Sequence, residues 1–188
     1  MDLVTYSGPL SGYYGLLNST LVTRSNVAAG AAGSLAWTTK TADEIVADVN
    51  TAMLATWAAS EYDVTGLSNH ILIPPASFTS IVSRKVSEAG NVSILTYLLE
   101  NNIGKSQGVD LKIFPSRWCI AAGAAGTNRM VAYVNNDDRI YLDVTVPIAR
   151  VMTMPTVAEG GAYLTLYLGQ LGQVKFLFYQ TVAYYDGL

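Results

Sequence analysis

The spacing of apolar residues changes along this chain of 188 residues, and this change constrains the fold more than any other feature. In much of the region between Thr41 and Asn102, apolar residues recur every three or four positions, which is typical of amphipathic helices. From Arg129 onwards they alternate at a period of two, which is typical of strands with one buried face. Helices followed by a run of antiparallel strands predict an α+β fold rather than a doubly wound parallel sheet.

Three helices are predicted in the first part of the chain. The first covers about 42–60, because Thr41 and Glu44 match the capping-box pattern. Its predicted apolar stripe consists of Ile45, Val46, Val49, Met53, Leu54 and Trp57. Pro75 opens the second helix and Gly90 ends it, with an inner stripe of Phe78, Ile81, Val82 and Val86. The third covers about 92–102, with Ile94, Leu95, Leu98 and Leu99 facing inwards.

Short apolar runs that end in proline predict two buried strands, at His70–Ile73 and Leu111–Phe114. Within the first forty residues, Leu21–Thr23 is the best strand candidate. The segment 130–134 and a strand that begins at Ile140 are predicted to form a hairpin around the turn 135–138.

Two further strands are predicted near the end of the sequence. Leucines alternate with Tyr163, Thr165 and Tyr167 between residues 162 and 168, which predicts a strand. The glycine-containing turn 169–172 then leads into a predicted strand at 174–181.

The composition bears on the kind of partner. The chain is 51% hydrophobic but only 13% charged, where about 25% is usual. Little charge and 12 tyrosines suit a surface that other subunits cover, although a tyrosine-rich β core would explain the tyrosines nearly as well. The net charge of -3 gives no indication of the basic surface that binds nucleic acid. No apolar run approaches the roughly 18 residues of a membrane helix, so neither nucleic acid nor membrane is predicted as a partner.

Residues suited to catalysis or metal binding are few. His70 and Cys119 are the only histidine and the only cysteine, which are too few for a usual zinc site, and we predict structural roles for both. Asp137 and Asp138 lie in an Asn-rich turn, where aspartate commonly bonds to its own backbone. We therefore predict no catalytic, cofactor-binding or metal-binding residues, and no enzyme.

The hexapeptide Ala-Ala-Gly-Ala-Ala-Gly occurs twice, at 28–33 and at 121–126. Such loops could present backbone amides to an anion. Neither copy contains a basic residue, however, and we predict flexible or tightly packed connections. The flanking sequences do not align, so the repeat does not indicate an internal duplication.

Several segments together resemble one family of tailed-bacteriophage major capsid proteins. The most specific are Ile71–Phe78 and Gly90–Asn102. The others are Tyr14–Asn18, Thr41–Asn50, Asn128–Val134 and Gln180–Gly187. Their order and spacing extend the resemblance over most of the chain.

This resemblance implies the Johnson fold of phage capsid proteins, in which a peripheral and an axial lobe share the chain. It predicts a connecting segment of the peripheral lobe at 1–29, an axial-type domain at 30–125 and returning peripheral strands at 126–188. The implied function is that of a bacteriophage or prophage capsid subunit. Such subunits associate into pentamers and hexamers, enclose the genome in the virion after assembly in the bacterial host cytoplasm, and need no cofactor.

Members of the family usually carry an N-terminal arm, an extended hairpin loop and a spine helix before the segment that begins here at Tyr14. The resemblance therefore predicts a truncated form, with apolar surface uncovered around Tyr163, Tyr167 and Tyr179. We expect small oligomers or monomers rather than closed shells.

Three alternatives remain open from the sequence. One is an encapsulin-like compartment shell of the same fold. Another is a small-ligand-binding α+β domain or a hydrolase, which requires a pocket around His70 or around Asp137 and Asp138. The third is a tail or head-completion protein.

Overall fold

The structure is a computed structural model that describes residues 14–87, 90–156, 162–170 and 172–188. Its strands are β1 (Thr23–Asn26), β2 (His70–Ile73), β3 (Lys112–Pro115), β4 (Arg129–Tyr133), β5 (Ile140–Leu142), β6 (Val146–Thr156), β7 (Ala162–Gln170), β8 (Val174–Phe176) and β9 (Val182–Asp186). Its helices are α1 (Ala42–Ala59), α2 (Pro75–Ser83), α3 (Ile94–Glu100) and α4 (Ile103–Ser106). None of these helices is long and apolar enough to cross a bilayer.

A mixed sheet in the order β1-β9-β4-β2-β3 forms the centre of the fold. β4 runs antiparallel to both of its neighbours, whereas β1 is parallel to β9 and β2 is parallel to β3. The remaining strands form two separate antiparallel pairs, β5 with β8 and β6 with β7.

Alternation along the strands sends neighbouring side chains into two different cores. Ile71 and Ile73 of β2 join the larger cluster, which the helices cover, whereas Leu72 joins the smaller one. The larger cluster includes Trp37, Ile45, Val49, Met53, Ile81, Ile94, Leu98, Met130 and Ala132. The smaller cluster consists of Leu16, Leu17, Val22, Leu72, Cys119, Val131, Val182 and Tyr184. The sheet is therefore buried on both faces.

The start of α1 confirms the predicted capping box. The Thr41 hydroxyl accepts the Glu44 N–H at 3.3 Å, and the Glu44 carboxylate accepts the Thr41 N–H at 2.8 Å. The predicted stripe is also correct at its centre, where Ile45, Val49 and Met53 are fully buried. Leu54 is an exception, since 42% of it is exposed.

A buried ion pair joins two inner strands of the sheet, β4 and β9. Arg129 on β4 donates from Nε and Nη2 to the two carboxylate oxygens of Asp186 on β9, at 2.6 and 2.8 Å. Its Nη1 donates to the Leu17 carbonyl at 2.6 Å, and its guanidinium lies 4.6 Å from the centre of the Tyr184 ring. One side chain thereby joins β4, β9 and the segment that precedes β1.

The hairpin predicted around residues 135–138 is wrong. β4 already has β2 on one side and β9 on the other, so neither of its edges is open to β5. β5 pairs with β8 instead, with Leu142 opposite Val174.

Several predicted boundaries also differ from the structure. α2 ends at Ser83 rather than at Gly90. The next residue, Arg84, leaves the helix, and its guanidinium donates to the carbonyls of Trp37 and Lys40. Val82, predicted to face inwards, is 45% exposed. The strand predicted at 21–23 begins only at residue 23. The strand predicted at 174–181 ends at residue 176 and is followed by a 3₁₀ turn at 179–181.

The central sheet extends past the predicted boundary between residues 125 and 126. β4 and β9 lie beyond this boundary, yet they pair with strands that precede it or with each other. Of the final segment, only the part from β5 to β8 leaves the central sheet. The division of the chain into lobes stays a prediction.

Candidate interaction surface

β6 and β7 form a long hairpin that packs mainly on itself. Its side chains are exposed along almost the whole length of both strands. Ile148 is 70% exposed and Tyr163 is 73% exposed. The hairpin therefore contributes little to either core of the central sheet.

The pairing register gives the hairpin two chemically different faces. Cross-strand partners share a face, and each of the leucines of β7 lies opposite Ala149, Met152 or Met154 of β6. We call this the Leu/Met face; its residues are Ala149, Met152, Met154, Leu164, Leu166 and Leu168. The opposite Tyr/Thr face consists of Arg150, Thr153, Pro155, Tyr163, Thr165 and Tyr167.

The Leu/Met face is an apolar surface without a cover among the described residues. Its leucines and methionines are between 40% and 58% exposed. Fully burying a side chain of this kind contributes about 1.5–3 kcal/mol. Soluble monomers rarely leave such a contiguous patch in water, so this face is suited to contact with another protein surface.

The Tyr/Thr face is amphipathic. The Thr153 and Thr165 hydroxyls lie 3.3 Å apart, within hydrogen-bonding distance across the strands. Arg150 is the only charged residue of either strand. Aromatic rings with polar ends and little charge are typical of protein interfaces rather than of solvated surfaces.

His70 lies at the start of β2, between two aromatic rings. Its ring centre is 5.7 Å from that of Phe114 and 5.6 Å from that of Tyr133, and its Nδ1 lies 2.9 Å from the Asn69 side-chain oxygen. Burial, followed by the nearby charge of Lys112, lowers the pKa of His70. The imidazole is accordingly neutral at neutral pH and is packed as part of the sheet.

Cys119 is completely buried in the smaller core. Burial raises the pKa of its thiol to about 12, and this outweighs a hydrogen bond with Ser116. A thiol with this pKa is protonated at neutral pH and is not a nucleophile.

Asp137 and Asp138 are exposed in a turn, as their sequence context predicts. The Asp138 N–H donates to the Asn136 side-chain oxygen at 3.1 Å. Asp137 lines two surface grooves of about 590 and 520 Å³, and His70 lines neither. In the described part of the chain, no three His, Cys, Asp or Glu residues are grouped so as to hold a metal ion.

The two hexapeptide repeats share two backbone hydrogen bonds, although the second copy differs in having a positive φ of 54° at Ala121 and Ala125. The third residue donates its N–H to the carbonyl after the repeat, Gly30 to Ser34 and Gly123 to Thr127. The final glycine donates back to the third residue and has a positive φ, 73° in Gly33 and 75° in Gly126. Only glycine adopts this conformation without strain.

Each repeat also presents one backbone amide to a carboxylate of the same chain. The Ala31 N–H donates to Glu44 at 2.7 Å, and the Ala124 N–H donates to Asp186 at 2.9 Å. The sequence suggested that these loops could present backbone amides to an anion, and in the structure the anion is a carboxylate of the protein itself. Sequence reasoning missed these partners, since Asp186 is far from its loop along the chain.

Comparisons with known proteins point to a family whose members associate with one another. The sequence matches the family model described as major capsid protein over residues 1–188. A chain from the capsid of Myoviridae phage XM1 has a TM-score of 0.78 at 16% identity, and the match covers 100% of this chain and 60% of that chain. No curated protein sequence matches the chain.

Two other solved structures are similar in fold to a lesser degree. A virus-like particle from Pyrococcus furiosus gives a TM-score of 0.53 at 12% identity, covering 91% of this chain and 58% of that chain. The SrpI encapsulin from Synechococcus elongatus PCC 7942 gives 0.52 at 13% identity, covering 100% and 59%. The chain spans about three fifths of the length of each of these three structures.

The α+β architecture therefore closely matches the fold of a phage capsid chain, which confirms the predicted fold class. The chain belongs to the major capsid protein family. This membership confirms the resemblance inferred from the sequence segments.

Proposed function

We propose that the protein is a structural subunit of a bacteriophage capsid shell, which self-associates through several surfaces to enclose the genome. The observation that carries this proposal is the exposed Leu/Met face on a projecting hairpin, in a chain of the major capsid protein family. The site of action would be the virion, after assembly in the host cytoplasm. The five-stranded sheet and its helices would form the axial lobe, and the β6–β7 hairpin would belong to the peripheral lobe.

We propose in addition that this role involves no catalysis. The buried Cys119 thiol and the neutral, ring-packed His70 support this view, because neither is placed as a nucleophile or as a metal ligand. A shell subunit acts through its contacts with other subunits and requires no active site.

The test measures association of the purified chain by size-exclusion chromatography with light scattering, and particle formation by electron microscopy. The wild-type chain should form species larger than a monomer as its concentration rises. Leu164→Lys places a charge on the Leu/Met face and should shift the population towards the monomer by at least tenfold in dissociation constant.

Leu54→Lys is the matched control. Leu54 is a similarly exposed leucine, but it lies on α1, away from the hairpin. This variant should associate like the wild type, and circular dichroism should show that both variants are folded. The exposed Leu/Met face narrows the expectation from monomers or small oligomers to oligomers, so a wild-type chain that stays monomeric at all concentrations would contradict the proposed function.

An encapsulin-like compartment shell is the second candidate, favoured by the similarity to the SrpI encapsulin. The lower TM-score of that match, 0.52 against 0.78, ranks it behind the phage capsid.

A further inference from the structure

The two outer edges of the β6–β7 hairpin differ in their ability to pair with another strand. β6 contains Pro147 and Pro155, and its register shifts twice, between Val146 and Ala149 and between Arg150 and Met152. Proline has no N–H to donate, and bulges interrupt a ladder, so β6 is blocked as a template.

β7 has none of these protections. It contains no proline and no charged residue. Among the residues that the structure describes, no strand pairs with its outer edge between Tyr163 and Gln170. Proteins usually protect an edge strand against pairing with another strand, and this hairpin protects only one of its two edges. The contrast indicates that the open edge of β7 receives another strand.

The sequence of β7 is complementary to itself. Leucines occupy positions 164, 166 and 168, and the two residues between them, Thr165 and Tyr167, carry hydroxyl groups. In an antiparallel pair centred on Leu166, Leu164 faces Leu168 of the second copy and Thr165 faces its Tyr167. All three leucines then lie opposite leucines, whereas a pair centred on Thr165 would place Leu168 opposite Ala162 and one centred on Tyr167 would place Leu164 opposite Gln170.

We propose that the outer edge of β7 pairs antiparallel with β7 of a second copy of this chain, with Leu166 on the two-fold axis. The result is a four-stranded sheet in the order β6-β7-β7-β6, whose Leu/Met face is continuous across both copies. This inference rests on the proposed function of the hairpin as a subunit interface, and it names the partner strand.

The exposed area is sufficient for a weak, concentration-dependent dimer. Tyr163, Leu164, Leu166, Tyr167 and Leu168 are between 53% and 73% exposed. A half-exposed leucine or tyrosine offers roughly 100 Å² to a partner, so the two copies together would bury at most about 1,000 Å², because edge pairing leaves both faces of the new sheet open. This reaches no more than the lower limit for a specific interface, so the dimer should be weak and should form only as the concentration rises.

Cysteine cross-linking tests the register directly. Residues opposite each other in an antiparallel pair have Cα atoms about 4.5–5.5 Å apart, which is within the range of a disulfide. Leu166→Cys should therefore give a covalent dimer under mild oxidation, measured by non-reducing electrophoresis and intact mass. The native Cys119 does not compete because it is completely buried.

Leu164→Cys is the matched control on the same face and with similar exposure. In the proposed register the two copies of position 164 lie about 14 Å apart, too far for a disulfide. This variant should cross-link at least tenfold less than Leu166→Cys. The double variant Leu164→Cys/Leu168→Cys should restore cross-linking, since each substituted position then faces the other one.

The outcomes separate this inference from the proposed function. Association that Leu164→Lys disrupts, combined with equal or absent cross-linking of Leu166→Cys and Leu164→Cys, overturns the β7 pairing and leaves the shell function standing. A chain that stays monomeric in every variant overturns both.

Discussion

The Asp186 carboxylate combines two separate tasks. It neutralises the buried Arg129 guanidinium, and it accepts the Ala124 N–H that closes the second hexapeptide loop. Its side chain is only 3% exposed, so water cannot replace it as a partner for Arg129. A single residue therefore connects the ion pair of the sheet to the geometry of a distant loop.

Asp186→Asn should be strongly destabilising. An amide leaves the Arg129 charge buried and uncompensated, a situation that typically costs about 3–5 kcal/mol. Urea unfolding followed by tryptophan fluorescence measures the loss. Asp110→Asn is the control, because it breaks the exposed Lys105–Asp110 pair and should leave the unfolding midpoint unchanged.

The effect of Asp186→Asn should also depend on pH. Burial raises the pKa of the Asp186 carboxyl, but hydrogen bonds from Arg129 and Ala124 and the Arg129 charge outweigh it, so the pKa lies below its ordinary value of 3.8. Folding therefore favours the ionised carboxylate. Its stabilisation is complete above about pH 5 and is lost as the pH falls through the lowered pKa. The difference in unfolding free energy between wild type and variant should be constant from about pH 5 to 7 and shrink below about pH 4.

At the scale of the element, the start of α1 depends on Glu44 as well as on Thr41. The Glu44 carboxylate accepts the Thr41 N–H of the capping box and also the Ala31 N–H of the first hexapeptide loop. The helix start and the preceding loop are consequently stabilised together.

Thr41→Ala should lower the free energy of unfolding by about 1 kcal/mol, because the Glu44 N–H loses its acceptor. Thr38→Ala, at an exposed position before the helix, should have no measurable effect. Glu44→Ala should cost more than Thr41→Ala, since the loop loses its carboxylate too. Chemical denaturation of the three variants gives the comparison, and equal effects of Thr41→Ala and Glu44→Ala would show that the loop contact contributes nothing.

The elements that could be predicted from sequence are those with local determinants. The capping box and stripe of α1, and the strand at His70–Ile73 ahead of its prolines, depend on neighbours within a few residues. The pairing of β4 could not be predicted, because its partner β9 is about fifty residues away and β5 is closer along the chain. Sequence proximity favoured a hairpin that tertiary pairing excludes.

The candidate surface was predictable only in part. The alternation around Tyr163 and Tyr167 indicates a strand with two different faces, and both tyrosines are exposed, as expected. Which residues of β6 complete the Leu/Met face depends on two register shifts. Nothing in a single sequence fixes where such bulges occur, so Met152 and Met154 could not be assigned to that face.

On the scale of the whole molecule, the hairpin and the central sheet are nearly independent. The hairpin is connected to the rest of the structure, here called the body, at Asp143 and Gln173. The Asp143 N–H donates to the Gln173 carbonyl at 3.4 Å. The two cores contain no residue of β6 or β7. Loss of the hairpin should therefore alter association and not folding.

Replacing residues 144–172 with Asn-Gly tests this separation, because a two-residue turn of this type closes an antiparallel pair. The shortened protein should unfold at nearly the same temperature as the wild type, and it should be monomeric at concentrations where the wild type associates. Differential scanning calorimetry and light scattering provide the two readouts. A large fall in melting temperature would show that the hairpin supports the body.

The position of β9 has a consequence for synthesis on the ribosome. β9 lies between β1 and β4 in the sheet, yet it follows every other strand in the sequence. While translation proceeds, β1 has no neighbour and Arg129 has no counter-charge until residues 182–186 emerge. The hairpin leaves the exit tunnel before that point, so its apolar face meets the cytosol while the body is still open. Until β9 emerges, such a chain keeps more apolar surface and more strand edges unpaired than a protein with local strand pairing does, which favours aggregation of the nascent chain.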